Sequence, residues 1–171
     1  MLEVTHKILV NISVEDIMNK KIEKELQSLW AKVGLIVNLS QMVEYNLANI
    51  LAFDEILREF ETTDSMFVFE YNEFVERAND WYKRLSKKTF GANVKRASEI
   101  RFFTKESEKM LSKAIKKRNY VVHNLFKDDL RKKNLETNPK FYFKELEETI
   151  SLLNTINESL VEIFKQQKEE Y

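Results

Sequence analysis

The chain has 171 residues, with 28 Lys plus Arg balanced by 28 Asp plus Glu, two Gly, one Pro and no Cys, a length that suits one domain of ordinary size. Glycine stands only at positions 34 and 91, so no glycine-rich loop can cradle a phosphate, and the P-loop, the dinucleotide fingerprint and the nucleophile elbow are excluded. The absence of Cys removes disulfides, thiolate catalysis and Cys-held zinc or iron–sulfur centres, while the shortage of turn formers argues against a many-stranded β protein.

Ser13 with Asp16 forms an N-cap signature, because a side-chain oxygen at that place accepts from amides that the first helical turn leaves unpaired. The helical pattern that follows runs to about Glu61 and is expected to be two helices or one bent one, divided near Ser28 to Gly34. In the Trp30 to Phe60 half, Trp30, Val33, Val37, Leu47, Ala48 and Leu51 recur at helical spacing. Leu35, Leu39, Met42, Val43 and Ile50 widen this stripe into a face that must be largely buried. Thr62-Thr63-Asp64-Ser65 reads as a turn and cap. A helix to about Lys87 follows on Phe67, Tyr71, Phe74, Val75, Ala78, Tyr82 and Leu85, with a short strand over Met66–Phe69 as the alternative.

Thr89 can cap a short helix through Glu99. Thr104 opens another to about Leu130, with Met110, Leu111, Ala114, Ile115, Val121, Val122, Leu125 and Phe126 on its apolar side. Residues 131–138 read as a loop, and Asn138 as cap with Pro139 at the first helical position, where its missing N–H costs nothing, begins a last helix over about 140–168. With no repeat or interdomain linker, the expected fold is an all-α single-domain helical bundle of about four or five main helices. Residues 1–29 are read as an N-terminal extension and first helix, and 30–171 as the bundle.

Apolar runs are only a few residues long, and Met1 to Ile12 lacks a basic-then-apolar pattern. A soluble, cytoplasmic chain with no membrane partner is therefore expected. The zero net charge hides an asymmetry: residues 1–80 carry 7 basic and 15 acidic side chains, 81–133 carry 17 and 5, and 134–171 carry 4 and 8. A basic segment lies between two acidic ones, either neutralised by packing against them or presenting a surface for a polyanion.

The chemistry concentrates in the stretch from Lys116 to Phe126. Arg118 falls on the apolar stripe, and a guanidinium cannot deprotonate, so it must either snorkel to the surface or find a carboxylate or phosphate. Glu44 poses the matching problem among Val37, Ser40, Gln41, Leu47, Ala48 and Leu51. It is expected to face Arg118 or His123, as a structural ion pair or as the group that orients the site. His123 is one of two histidines and falls one turn after Asn119. Arg118 and His123, five residues apart, diverge by about 140° on an ideal helix. Sharing the site between two copies relaxes that limit.

Arg118-Asn119-Tyr120-Val121-Val122-His123 resembles the R-x4–6-H signature of the HEPN superfamily, including the Asn that often follows the Arg. The segment Lys87 to Gly91 is similar to the Thr-Leu-Gly stretch of some bacterial members. The helix with Gly34 and Met42-Val43-Glu44-Tyr45-Asn46-Leu47 resembles the family's first core helix, which often holds an acidic residue in its apolar face. The likeness spans roughly residues 30–165. It implies a HEPN-like bundle that forms a homodimer, so that two Arg–His motifs meet across a cleft. In many members that cleft is a metal-independent endoribonuclease, plausible here as a toxin or an abortive-infection and antiviral defence effector.

Carried over to this chain, the resemblance makes His123 the general acid/base and Arg118 the clamp on the scissile phosphate. Asn119 positions one of them, Glu44 and Tyr120 support the site, and Lys116, Lys117 and Lys127 attract the RNA backbone. RNA supplies its own nucleophile in the 2′-hydroxyl, so the expected products carry a 2′,3′-cyclic phosphate, or its hydrolysed form, and a 5′-hydroxyl. No metal or other cofactor is called for. An antitoxin or a nucleotidyltransferase is a possible regulatory partner. One departure is that some toxin members carry Tyr two residues after the His, where this chain has Leu125. The alternative is a non-catalytic HEPN-like module that binds a nucleotide, RNA or protein partner.

Other signals are weaker. Glu3-Val4-Thr5-His6 has the E-x-x-H spacing of di-metal bundles but occurs once. The aromatic residues Phe67, Phe69, Tyr71, Phe74, Trp81, Tyr82, Phe102, Phe103, Phe141, Tyr142 and Phe143 are expected to pack rather than stack on bases. The runs Arg131-Lys132-Lys133 and Lys165 to Glu170 read as solvated surface.

Overall fold

The computed structural model describes residues 14–62, 71–100, 103–125, 127 and 129–170. Among them there is no strand, and the architecture is an all-α bundle. In chain order the elements are α1 (Val14–Thr62), α2 (Tyr71–Leu85), α3 (Phe90–Ala97), α4 (Lys105–His123), α5 (Asp129–Thr137), a 3₁₀ turn (Pro139–Tyr142) and α6 (Phe143–Glu170). The Ser13 and Asp16 cap, the Thr63 to Ser65 turn, the alternative strand at Met66–Phe69 and the Glu3/His6 pair lie outside the described residues, as do Phe67, Phe69, Phe102 and Phe126.

α1 is one uninterrupted helix of 49 residues, so the division expected near Ser28 to Gly34 is not formed. A single helical glycine costs only about 1 kcal/mol relative to Ala, and the packing on either side outweighs it: Leu29, Ile36, Val43 and Ile50, seven residues apart, are all buried. With Leu39, Leu47 and Leu51, they form the seam against which the other helices close. The sequence-derived face contains much of this seam, with Leu39, Val43, Leu47, Ala48, Ile50 and Leu51 buried and Val33 packed against it, but it omits Leu29 and Ile36 and extends too far on both flanks. Trp30 is 52% exposed, Leu35 45%, Val37 38% and Met42 43%, which corrects their assignment to the core. Apolar residues cover so much of the circumference that periodicity alone leaves the edges of the buried face open, and the packing partners set them.

α6 supplies the second long element. Leu146, Thr149, Leu153, Ile156, Leu160, Ile163 and Gln167 are all buried at alternating spacings of three and four residues, which places them on a single face. The helix runs parallel to α1, tied by Lys32 to Glu147 at 2.8 Å and by Asn46 Nδ2, which donates to Asn157 Oδ1 at 2.7 Å. Gln167 corrects the reading of Lys165 to Glu170 as wholly solvated, since it is fully buried and its Nε2 lies 3.5 Å from the Ile50 carbonyl. α4 packs antiparallel to α6, with Lys117 meeting Glu148 near one end and Ser107 and Met110 lining a small cavity with Leu160 and Ile163 toward the other.

α2 and α3 are tied to the C-terminal half of α1 by a polar network. The Trp81 indole donates to Glu59 Oε1 at 3.0 Å, and Arg77 bonds Glu59 and Glu73. Arg96 binds Glu55 and lies over the Trp81 ring. Asp54 pairs with Arg58 at 2.8 Å. Burial pushes the Asp54 carboxyl above the usual aspartate range, and the Arg58 charge only partly offsets it.

Capping chemistry sets α3 and α4. Thr89 Oγ1 accepts from the Ala92 amide at 3.3 Å and Thr104 Oγ1 from the Ser107 amide at 3.1 Å. α4 ends at His123 rather than near Leu130, and the expected loop at 131–138 is mostly the short helix α5. Asn138 makes no side-chain cap; instead its carbonyl accepts from the Phe141 amide at 3.1 Å. Of the described aromatics, Tyr142 is buried, and Trp81, Tyr82, Phe103 and Phe143 pack on the core, whereas Phe141 is 65% exposed.

Candidate functional site

α4 carries Arg118 to His123, and its inward face is Leu111, Ala114 and Val121, all buried, followed by Leu125 just beyond the helix end. Arg118 lies on that same face one turn after Ala114, so its side chain starts in apolar surroundings. Its Nη2 reaches 3.7 Å from Glu44 Oε1 on α1, and its Nη1 donates to Asn119 Oδ1 at 3.0 Å. Its Nε is buried and has no hydrogen-bond partner among the described residues. The guanidinium therefore combines both possibilities raised by its position: it extends toward the surface, and it meets the Glu44 carboxylate. Both side chains remain about a third exposed, 29% for Arg118 and 36% for Glu44. Such a pair contributes little to stability, on the order of 0–1 kcal/mol, and leaves an edge of the guanidinium open to solvent.

Glu44 is thus brought to Arg118. His123 is not: it stands exposed in the last turn of α4 and makes no side-chain hydrogen bond or ion pair with the described residues. Arg118 and His123 leave the helix about 140° apart, and the undistorted geometry of α4 keeps them on different flanks. Asn119, also exposed, lies between the two, bonded to Arg118 and one turn before His123. Tyr120 is half-buried and packs against the core.

The expected backbone-binding lysines divide. Lys116 and Lys127 are exposed, whereas Lys117 is largely covered and pairs with Glu148 at 3.3 Å. Sequence reasoning overlooked the row that precedes them. Lys105, Lys109, Lys113 and Lys116 succeed one another at spacings of four, four and three residues, and they line a shallow surface groove with Glu108 and Ser112. That spacing was the available signal.

Apolar residues near the Arg118–Glu44 contact also stay uncovered in the single chain. Val37, two turns before Glu44 on the same flank of α1, is 38% exposed, and Val122, one turn after Arg118 on α4, is 39% exposed. The described residues hold no group of three His, Asp or Glu able to bind a metal ion, and no described helix is long and apolar enough to cross a membrane. No family model matches the chain, nor does any curated protein or solved structure.

Proposed function

We propose that the protein is a HEPN-like endoribonuclease whose active site forms between two copies of the chain. The observation that carries this reading is the Arg118 guanidinium, held half-buried by Glu44 and Asn119 with one edge open, on the same helix as an exposed His123. An arginine so held binds a phosphodiester and stabilises its developing charge. An exposed imidazole assists the 2′-hydroxyl proton transfer once a partner surface covers it. Because the two residues diverge on one helix, the Arg of one copy is matched with the His of the other, and the uncovered Val37 and Val122 suit a self-complementary contact. A toxin or defence role, and control by an antitoxin or nucleotidyltransferase, follow from the family resemblance alone.

The test is incubation of the wild type and His123→Ala with a labelled structured RNA in excess EDTA, followed by analysis of the product ends. Cleavage by the wild type alone, leaving cyclic phosphate and 5′-hydroxyl ends, is expected. No cleavage of any RNA by a folded wild type overturns the reading.

A second reading has its own support. Glu44 already engages Arg118, and nothing among the described residues orients the His123 ring, an arrangement that suits a non-catalytic helical module binding RNA, a nucleotide or a protein.

A further inference from the structure

We infer that the outward face of α4 is a track for a single-stranded RNA backbone, formed by Lys105, Lys109 and Lys113 upstream of Lys116 and leading toward His123. This inference rests on the ribonuclease reading for its choice of RNA, but its surface is separate from the Arg118–Glu44 contact. α4 carries six basic and two acidic side chains. Its four exposed lysines have no ion-pair partner among the described residues. Some surface cations are paired with acids three or four residues away, as Lys83 with Asp80, Arg77 with Glu73 and Lys165 with Glu162, but Lys113 and Lys116 have no acid at that spacing and are flanked there by further basic residues.

Three physical features distinguish the row from an ordinary solvated face. Like charges four residues apart repel along a helix, so the row costs stability wherever no counter-charge is supplied. Lys105 is the first residue of α4, where the helix dipole favours an anion over a cation. Glu106 and Glu108 in the first turn offset this in part, and a polyanion supplies the counter-charge that Lys113 and Lys116 lack. Lysines four residues apart are also separated by about 6 Å along the axis, which lets each meet a successive stretch of a flexible backbone. From Lys105 to His123 the helix rises about 27 Å, the length of about eight nucleotides at a stacked spacing of about 3.4 Å. The lysines bind without reading sequence and deliver the strand to the exposed histidine.

The test uses non-cleavable 2′-O-methyl RNA single strands of 4, 8 and 12 nucleotides, with the full-length wild type and a Lys105→Gln/Lys109→Gln/Lys113→Gln variant. Gln is close to Lys in helix propensity, and circular dichroism checks that the helix persists. Wild-type affinity is expected to rise up to the octamer and then level off. The variant is expected to bind at least about tenfold more weakly at low salt, and its log K against log salt slope to be shallower by roughly 2, about 0.7 per lysine on a single strand. Unchanged affinity and slope in the folded variant overturn the track, as does a wild type that does not bind the strands. Binding that depends on the lysines in a wild type that cleaves no RNA sustains the track and removes the ribonuclease reading.

Discussion

Arg118 extends from the apolar face of α4 to bring its Nη2 within 3.7 Å of Glu44 Oε1 on α1, while its Nε remains buried with no acceptor among the described residues. The contact joins two long helices at a point where both side chains are partly wet, so its value lies in orientation more than in stability. Glu44→Gln keeps the shape and removes the charge. It is expected to lower the unfolding free energy by less than about 1 kcal/mol, while RNA cleavage loses kcat with KM unchanged or lower, the pattern of a lost positioning contact. Urea unfolding and steady-state kinetics check the two halves. A rise in KM at constant kcat would instead make Glu44 part of substrate binding.

Gly34 lies inside α1, and a Cβ added there meets nothing within 4 Å. Gly34→Ala is therefore expected to stabilise the isolated chain by about 0.5–1 kcal/mol, through the entropy that glycine loses in a helix. Denaturant midpoints at low protein concentration measure it. A loss of stability that grows with protein concentration would show that another helix packs against this position.

The fold class was legible because it rests on repeated signals. Thr89 and Thr104 cap the helices that follow them, and the scarcity of glycine and proline left few other ways to fold. The edges of the buried face of α1 were not legible. Trp30 and Val37 fit a helical stripe as well as Leu29 and Ile36 do, and the elements packed on α1 cover the second pair and leave the first exposed. At the site, the position of Glu44 within an apolar face pointed to a cationic partner. The row from Lys105 was overlooked because an exposed lysine has no apolar periodicity to announce it. Lys117 could not be told from Lys116 by sequence, since the difference is the Glu148 carboxylate on α6.

Asp54 gives the fold a predictable pH dependence. Burial raises its pKa above the ordinary aspartate range despite the neighbouring Arg58, so between the ordinary and raised values the folded state holds a proton that the unfolded state has released. Stability from this group is fully present below the unfolded pKa and is lost as the pH rises through the folded one. In Asp54→Asn that loss is absent, and the difference in unfolding free energy should move in the variant's favour as the pH rises through the window, then level off. Urea midpoints across the acid range measure it. A difference that moves toward the wild type with rising pH would show a carboxyl held below the ordinary aspartate range instead.

If, as proposed, Arg118 of one copy acts with His123 of another, mixing two inactive variants restores activity. Arg118→Ala and His123→Ala are each expected to fold and to leave RNA intact. When co-refolded in equal amounts, half of the dimers pair the two variants and hold one intact site of their two, so about a quarter of wild-type cleavage should return. If the mixed dimers form but RNA remains uncut while the wild type cleaves it, the site lies within a single chain and the composite arrangement is wrong.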